Sequence, residues 1–284
     1  MRERFEALTR HLQELMPKGV DFIASIEGED SDFVRFNQGR VRQSGSVEQS
    51  TLTVRLISGL RHASSAFSLS GDLHADKATI GTCVTELCEL LPLLPEDPHL
   101  LLSDQAQSTE QLSESQLPAT DQIVDEVVTS ARSGASPVDL VGIYAGGEIF
   151  HGLANSWGQR NWFETHTYNL DWCLYHSADK AVKSNLAGRK WDSDAFARRM
   201  TSGRRQLEIL ARPAQKIQPG KYRVYLAPAA VGEILGMMCW GGFSHRSMDN
   251  RTTPLLKLVD GSKRLSPEIQ ISEVPGTGIA PRFP

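Results

Sequence analysis

The chain has 284 residues, with 40% apolar and 23% charged residues and a formal net charge of −4 at pH 7. This composition is typical of a globular protein of about two domains, and the charge gives no reason to expect nucleic acid as a partner. No apolar run approaches the ~20 residues of a membrane span, and the N-terminus lacks the apolar core of a signal peptide, so a cytoplasmic location is expected.

The first predicted domain, residues 1–91, has the pattern of an α+β unit. Phe5, Leu8 and Leu12 recur at helical spacing within residues 2–16. A meander of short strands is predicted next, at residues 22–26, 33–36, 41–44, 50–57 and 60–67. Apolar and polar residues alternate over 52–56, which is typical of an antiparallel sheet with one buried face. Asp72 is the predicted N-cap of a second helix.

A boundary is predicted at residues 92–118, where four prolines bracket a polar run. We expect a mobile connector there, and an ordered crossing segment is the alternative. The second predicted domain, residues 119–212, is again α+β, without an apparent internal repeat at a fixed period. The pattern predicts helices at 120–131 and 193–211 and strands at 138–144, 148–154, 161–167 and 170–177, with Gly146-Gly147 as a turn.

Residues 213–284 are predicted to begin a β-rich C-terminal domain. A strand over Tyr222–Leu226 leads to Pro228, which suits the first turn of a helix, and Gly241-Gly242 ends the apolar segment that follows. The apolar stripe of this helix favours a buried packing helix over a catalytic one. The four cysteines form no C-x-x-C pair and are expected to be buried free thiols: Cys83, Cys88, Cys173 and Cys239.

Four blocks together resemble the TldD/PmbA family of metallopeptidase-related proteins, known also as modulators of DNA gyrase. They are the strand and helix of Tyr222–Arg246, the strand pair of Leu52–Asp72, the N-S-x-G turn within Leu153–Gly158, and the longer stretch from Pro219 to Ile269. Zinc-bearing members carry H-E-x-x-x-H on the helix. The matching positions here are Gly236, Met237 and Gly241, none of which can bind zinc or act as a base.

The resemblance therefore implies the metal-free PmbA or TldE type, with no catalytic or metal-binding residue and no cofactor in this chain. Such a subunit would pair with a zinc-bearing homologue, or with itself, in a cytosolic assembly that cleaves unfolded peptides. Family members continue into a Gly-rich β portion, so the C-terminal domain is expected to be incomplete here. The alternatives are a non-enzymatic peptide-binding or scaffold remnant and a truncated, non-functional fragment.

Three other groups of residues have types that could support chemistry. Glu164 and His166 are predicted to share one strand face, and His245, Ser247 and Asp249 have the residue types of a triad without its usual sequence context. Either group would make the chain an independent hydrolase. A basic cluster is interrupted by acids and is interpreted as a solvated face rather than a phosphate site: Lys180, Lys183, Arg189, Lys190, Arg198, Arg199, Arg204 and Arg205.

Overall fold

The computed structural model describes residues 1–133, 137–177, 180–274 and 280–283. The described residues form two compact units: those of Met1–Ala214 together with residues 280–283 (unit 1), and Gln215–Val274 (unit 2). The helices are α1 (Arg2–Leu15), α2 (Leu73–Leu90), α3 (Thr120–Arg132), α4 (Ser193–Leu210), α5 (Pro228–Cys239), α6 (His245–Asp249) and α7 (Leu256–Val259). The strands are β1 (Asp21–Asn37), β2 (Arg40–Ser58), β3 (Arg61–Ser68), β4 (Glu110–Leu112), β5 (Asp139–Asn155), β6 (Arg160–Ser177) and β7 (Lys180–Gly188).

Unit 1 is built on one sheet in the order β3-β2-β1-β5-β6, and both β4 and β7 pair with β6. All of these pairings are antiparallel except that of β4, which is parallel. The predicted α+β class is confirmed. Because β1 and β5 are neighbours, the predicted domains 1–91 and 119–212 contribute to a single sheet. Their short predicted strands merge into long ones, since β1 alone covers residues 21–37.

The topology of unit 1 repeats, although the sequence shows no evident period. Helix, three strands and helix occur twice, as α1-β1-β2-β3-α2 and as α3-β5-β6-β7-α4. β1 begins at Asp21 and β5 at Asp139, 118 residues later, while α2 and α4 begin at Leu73 and Ser193, 120 residues apart. In the β1–β5 register Asp30 lies opposite Glu148. Glu148 also follows Asp30 by 118 residues, so the two residues occupy the same position in the two repeats. The two halves are therefore related by an approximate two-fold axis at this pair.

Each half buries its own hydrophobic core. Phe5, Leu8 and Leu12 of α1 pack with α2 over Phe22, Ala24, Ile26 and their neighbours in β2. α3 and α4 pack over a second cluster, which includes Val34 and Phe36 of β1. Residues 22 to 26 and 34 to 36 alternate on the same side of β1, so both cores lie on one face of the sheet. Burial of this apolar surface is the main favourable term that holds the helices to the sheet.

Two glycines predicted to form a turn lie instead within a strand. Gly146 and Gly147 are in the middle of β5, and a Cβ atom on either would collide with neighbouring atoms, among them the Tyr144 hydroxyl and the Asp30 carbonyl oxygen. The absence of a side chain at these positions allows close packing.

The segment between α2 and α3 is partly ordered against the sheet. Thr109 accepts a hydrogen bond from the Trp162 backbone N–H at 3.0 Å, and the Ser113 N–H donates to the Glu164 carbonyl at the same distance. β4 lies between these two contacts. The alternative interpretation of residues 92–118, an ordered crossing segment, therefore fits residues 109–113 better than a mobile connector does.

Unit 2 departs from prediction in its packing. Helix α5 forms as predicted and is followed by Gly241 at φ +77°, but no residue of α5 is buried. Tyr222–Leu226 is not a strand, because no other segment of the described residues pairs with it. Of the four thiols that were expected to be buried, Cys83 is buried, Cys88 and Cys173 are half-buried, and Cys239, at the end of α5, is exposed. Among the described residues, no helix combines the length and apolarity needed to cross a membrane.

Candidate functional site

The positions that match the zinc motif lie at the end of α5. Gly236 and Met237 belong to its last turn, Gly241 lies beyond its C-terminus, and the Met237 side chain is 68% exposed. Glu233, the one acid of the helix, is also exposed. Zinc needs imidazole, thiolate or carboxylate ligands, and these three positions supply none. Within the described residues, no group of three or more His, Cys, Asp or Glu side chains could hold a metal ion.

The suggested triad is a local pair on the short helix α6. His245 Nδ1 lies 2.9 Å from Asp249 Oδ2, one helical turn away, with side-chain exposures of 91% and 67%. Ser247 lies on the same helix, and its backbone N–H is capped by the Ser244 hydroxyl at 3.3 Å. Residues 245 and 247 point in different directions from a helix, so the arrangement does not place a serine hydroxyl against the imidazole.

Glu164 and His166 do share a strand face, and the sheet adds Glu148 to them. His166 Nε2 is 3.8 Å from Glu148 Oε2, and His166 Nδ1 is 3.1 Å from the Ser113 carbonyl oxygen. The Trp162 indole N–H donates to Glu164 at 3.1 Å. With Asp30 and Asp32 these side chains form a polar strip across the helix-covered face, between the two cores.

The polar strip contains one carboxyl with a perturbed proton affinity. Burial raises the pKa of Glu148, the nearby Glu164 adds to this rise, and the opposing His166 lowers it. A half-buried carboxyl beside an imidazole could exchange a proton. The other groups are held by structural hydrogen bonds, however: Glu164 by Trp162, and Asp32 by Thr120 and Ser46 at 2.8 and 2.6 Å. The sequence pattern predicts Glu148 as the first residue of a separate strand, 148–154, after a turn at Gly146-Gly147, so it does not place this carboxyl beside His166.

The N-S-x-G block is a well-ordered corner between β5 and β6. Asn155 Oδ1 accepts from the Trp157 and Gln159 backbone N–H groups, each at 3.0 Å, and Gly158 has φ +92°. The Ser156 hydroxyl joins the corner to β1, since it accepts from the Phe22 N–H at 2.9 Å. This block of the resemblance therefore has a structural explanation, because its side chains satisfy the backbone of a turn.

Several side chains of the predicted basic cluster make hydrogen bonds or ion pairs within unit 1. Lys180 and Arg199 donate to backbone carbonyls, Arg204 donates to the Ser130 and Ala131 carbonyls, and Lys183 lies 3.6 Å from Asp171. Arg204 and Arg199 thus hold α4 against the rest of the unit. These contacts favour the interpretation as a solvated, structural face.

Comparison with solved structures identifies the fold. The chain is similar to a Thermotoga maritima protein described as a candidate modulator of a DNA gyrase, with a TM-score of 0.63 over 89% of this chain and 13% identity. It is also similar to TldE from Thermococcus kodakarensis, with a TM-score of 0.59, 89% coverage and 13% identity. The chain has the fold of TldD/PmbA proteins. The resemblance predicted from four sequence blocks is confirmed at the level of fold.

The match covers only part of each related protein. This chain spans 58% of the Thermotoga protein and 57% of the Thermococcus TldE. No family profile matches the sequence, and no curated protein matches it. At 13% identity the likeness extends to the fold and not to the activity of those proteins.

Proposed function

We propose that the chain is a metal-free, peptidase-related subunit that acts in the cytosol with a zinc-bearing homologue to degrade unfolded peptides. The observation that carries this proposal is the replacement of all three zinc-motif positions, by Gly236, Met237 and Gly241, in a chain that shares its fold with a TldE. Two glycines and a methionine cannot activate water, so hydrolysis would depend on the partner's zinc site.

The exposure of α5 supports a role in an assembly. An apolar helix is normally buried in a core, whereas Val231, Ile234 and Met237 are 39%, 41% and 68% exposed here. Apolar surface of this kind is typical of a protein interface. In the proposed assembly, α5 and the segment before it would be covered by polypeptide, and unfolded peptide would bind through its backbone by strand addition.

The test compares the purified chain alone with the chain mixed with a zinc-bearing homologue. We expect no stoichiometric zinc and no peptide hydrolysis from the chain alone, and hydrolysis from the mixture above that of the homologue by itself. Zinc would be measured by elemental analysis and hydrolysis with an unfolded, fluorescently labelled peptide. One zinc per chain, or hydrolysis by the chain alone, would contradict the proposal, and no stimulation of the homologue would favour a scaffold remnant.

The rival proposal of an independent hydrolase is tested with two substitutions. His166→Ala and His245→Ala remove the imidazoles of the two groups considered above. If the chain alone showed hydrolysis that either substitution abolished, while thermal unfolding stayed unchanged, the independent mechanism would replace the metal-free subunit.

A further inference from the structure

The polar strip opens into a cavity of unit 1 that has no part in the proposed function. This strip cavity has a volume of about 440 Å³ and lies between β1, β5, β6 and the residues that lead into α3. Its acids are Asp30 and Asp32 from β1 and Glu148 from β5, which share the helix-covered face with His166 of β6. Among the described residues that line it there is no lysine or arginine. The lining therefore has an excess of negative charge.

A buried tyrosine hydroxyl without a partner faces the strip cavity. Tyr144 is 1% exposed and lines the cavity, and its hydroxyl lies over Gly146, since a Cβ atom there would collide with it. Burial, and then the charge of Asp32 opposite Gly146, raise the pKa of Tyr144 to about 12, so the hydroxyl stays protonated at neutral pH. This hydroxyl makes no hydrogen bond to any described residue. A buried polar group without a partner is uncommon in folded proteins and often indicates a bound water or ligand.

Glu148 and His166 add two acceptors that no protein donor uses. His166 Nδ1 is 3.1 Å from the Ser113 carbonyl, which can only accept, so Nδ1 carries the proton and Nε2 of the neutral ring is an acceptor. Nε2 lies 3.8 Å from Glu148 Oε2, which is too far for a hydrogen bond, and no donor of the described residues bonds to this carboxylate. A group with several N–H donors that lay between these two atoms would bond to both.

The positive charges near the strip cavity do not neutralise its acids. Asp32 faces the N-terminus of α3 and accepts from the hydroxyl of the first α3 residue at 2.8 Å, so it balances the partial charge of that helix end. His166 and the amino group of Met1 lower the pKa of Glu148, but its net shift is upward, with burial as the largest cause. Asp30 makes no ion pair or hydrogen bond with a described residue. A cation would be attracted to this cavity, and a phosphate or carboxylate would be repelled.

We propose that the strip cavity binds the primary ammonium group of a small amine or of a peptide N-terminus. The three N–H donors of such a group would bond to the Glu148 carboxylate, the His166 Nε2 lone pair and the Tyr144 oxygen. Leu117 and Pro118, which also line the cavity, would contact the apolar part of the ligand. A metal ion fits less well, because no group of three or more His, Cys, Asp or Glu side chains of the described residues could hold one.

The binding test uses pairs of ligands that differ in the ammonium group. n-Butylamine and 1-butanol represent a free amine, and a hexapeptide amide without ionisable side chains, with a free or an acetylated N-terminus, represents a peptide. Isothermal titration calorimetry on the full chain, at pH 7 and about 0.15 M salt to screen non-specific attraction, should show binding of the amines. The neutral counterparts should bind at least about tenfold more weakly, because charge-assisted hydrogen bonds are lost.

Binding of either amine with this preference supports the proposal. Binding of the hexapeptide alone would identify a peptide N-terminus as the ligand, and binding of n-butylamine alone would identify a free amine. Equal affinity for the charged and neutral ligands, or no binding of either amine, would overturn the proposal.

Variants separate the strip cavity from adventitious binding. Glu148→Gln removes the charge and keeps the shape of the side chain, so amine affinity should fall at least about tenfold. Tyr144→Phe removes only a hydroxyl that has no described partner, so thermal stability should be kept while amine affinity falls roughly threefold to tenfold. Glu27→Gln and Tyr175→Phe are the matched controls, since both positions lie on the opposite face of the sheet. If the amines bound all four variants as tightly as the unaltered chain, the strip cavity would not be the binding site.

Discussion

The buried ion pair between α1 and α2 gives the sharpest test of how unit 1 is held together. Arg4 donates to Asp76 Oδ2 at 2.7 Å, and Asp76 Oδ1 accepts from the Ser70 backbone N–H and hydroxyl, each at 2.8 Å. Asp76 is 3% exposed. In Asp76→Asn one of these two sides must face an NH₂ group, so the substitution leaves either Arg4 or Ser70 without its acceptor.

We expect Asp76→Asn to lower the free energy of unfolding by about 3–5 kcal/mol, the usual cost of breaking a buried pair from one side. At about 2–4 °C per kcal/mol for a unit of this size, the midpoint of thermal unfolding should fall by roughly 6–20 °C. Urea denaturation followed by circular dichroism measures the change directly. Adding Arg4→Met should recover part of the loss, because it removes the unpaired buried cation.

The control is a pair with the same charges on the surface. Lys183 and Asp171 are 3.6 Å apart with side-chain exposures of 65% and 37%, so Asp171→Asn should cost about 1 kcal/mol or less. If Asp76→Asn cost no more than Asp171→Asn, the geometry at Asp76 would not stabilise the packing of α1 on α2. The position assigned to α1 would then be wrong.

Three further substitutions test the polar strip, the corner and the first core. Burial raises the pKa of Glu148 above its ordinary 4.5, so the native state binds this proton more tightly than the unfolded state, and stability falls as the pH rises from the ordinary pKa through the raised one. Glu148→Gln should therefore raise the melting temperature at pH 7 and not at pH 4. A lower melting temperature at pH 7 would mean that the attraction of His166 outweighs burial. Asn155→Ala should cost about 1–3 kcal/mol in urea denaturation, because two backbone N–H groups lose their acceptor, and a neutral effect would contradict the corner. Leu8→Ala should cost about 2–5 kcal/mol, since Leu8 is fully buried in the first core, and a cost below 1 kcal/mol would argue against that core.

Local signals in the sequence predicted the helices well. Asp72 is the predicted N-cap of the second helix, and its side chain accepts from the His74 and Ala75 backbone N–H groups in the first turn of α2. These predictions succeed because a cap, a stop signal and an apolar stripe depend only on neighbouring residues. The predicted stripe of α5 shows the limit of this reasoning, because apolar spacing predicts a helix but not what covers it.

The strands were harder to predict because their pairing is non-local. β1 was expected as two short strands, since polar residues interrupt its apolar alternation between Ile26 and Phe33. The pairing of β1 with β5 joins residues more than 100 positions apart, as in Asp30 with Glu148, and no local pattern indicates such a register. Glu148 could therefore not be placed beside His166 from the sequence, although Glu164 and His166 could be placed together.

The repeated topology explains why these strands contain polar residues at their centres. Each half packs its own two helices at the outer part of the sheet, so the buried apolar positions fall into two separate clusters. The approximate axis at Asp30 and Glu148 lies between them, where no apolar helix face is available to cover the sheet. Polar side chains are the ones that tolerate this partly exposed strip. The acids and the histidine there follow from the architecture, and a role in catalysis is not needed to explain them.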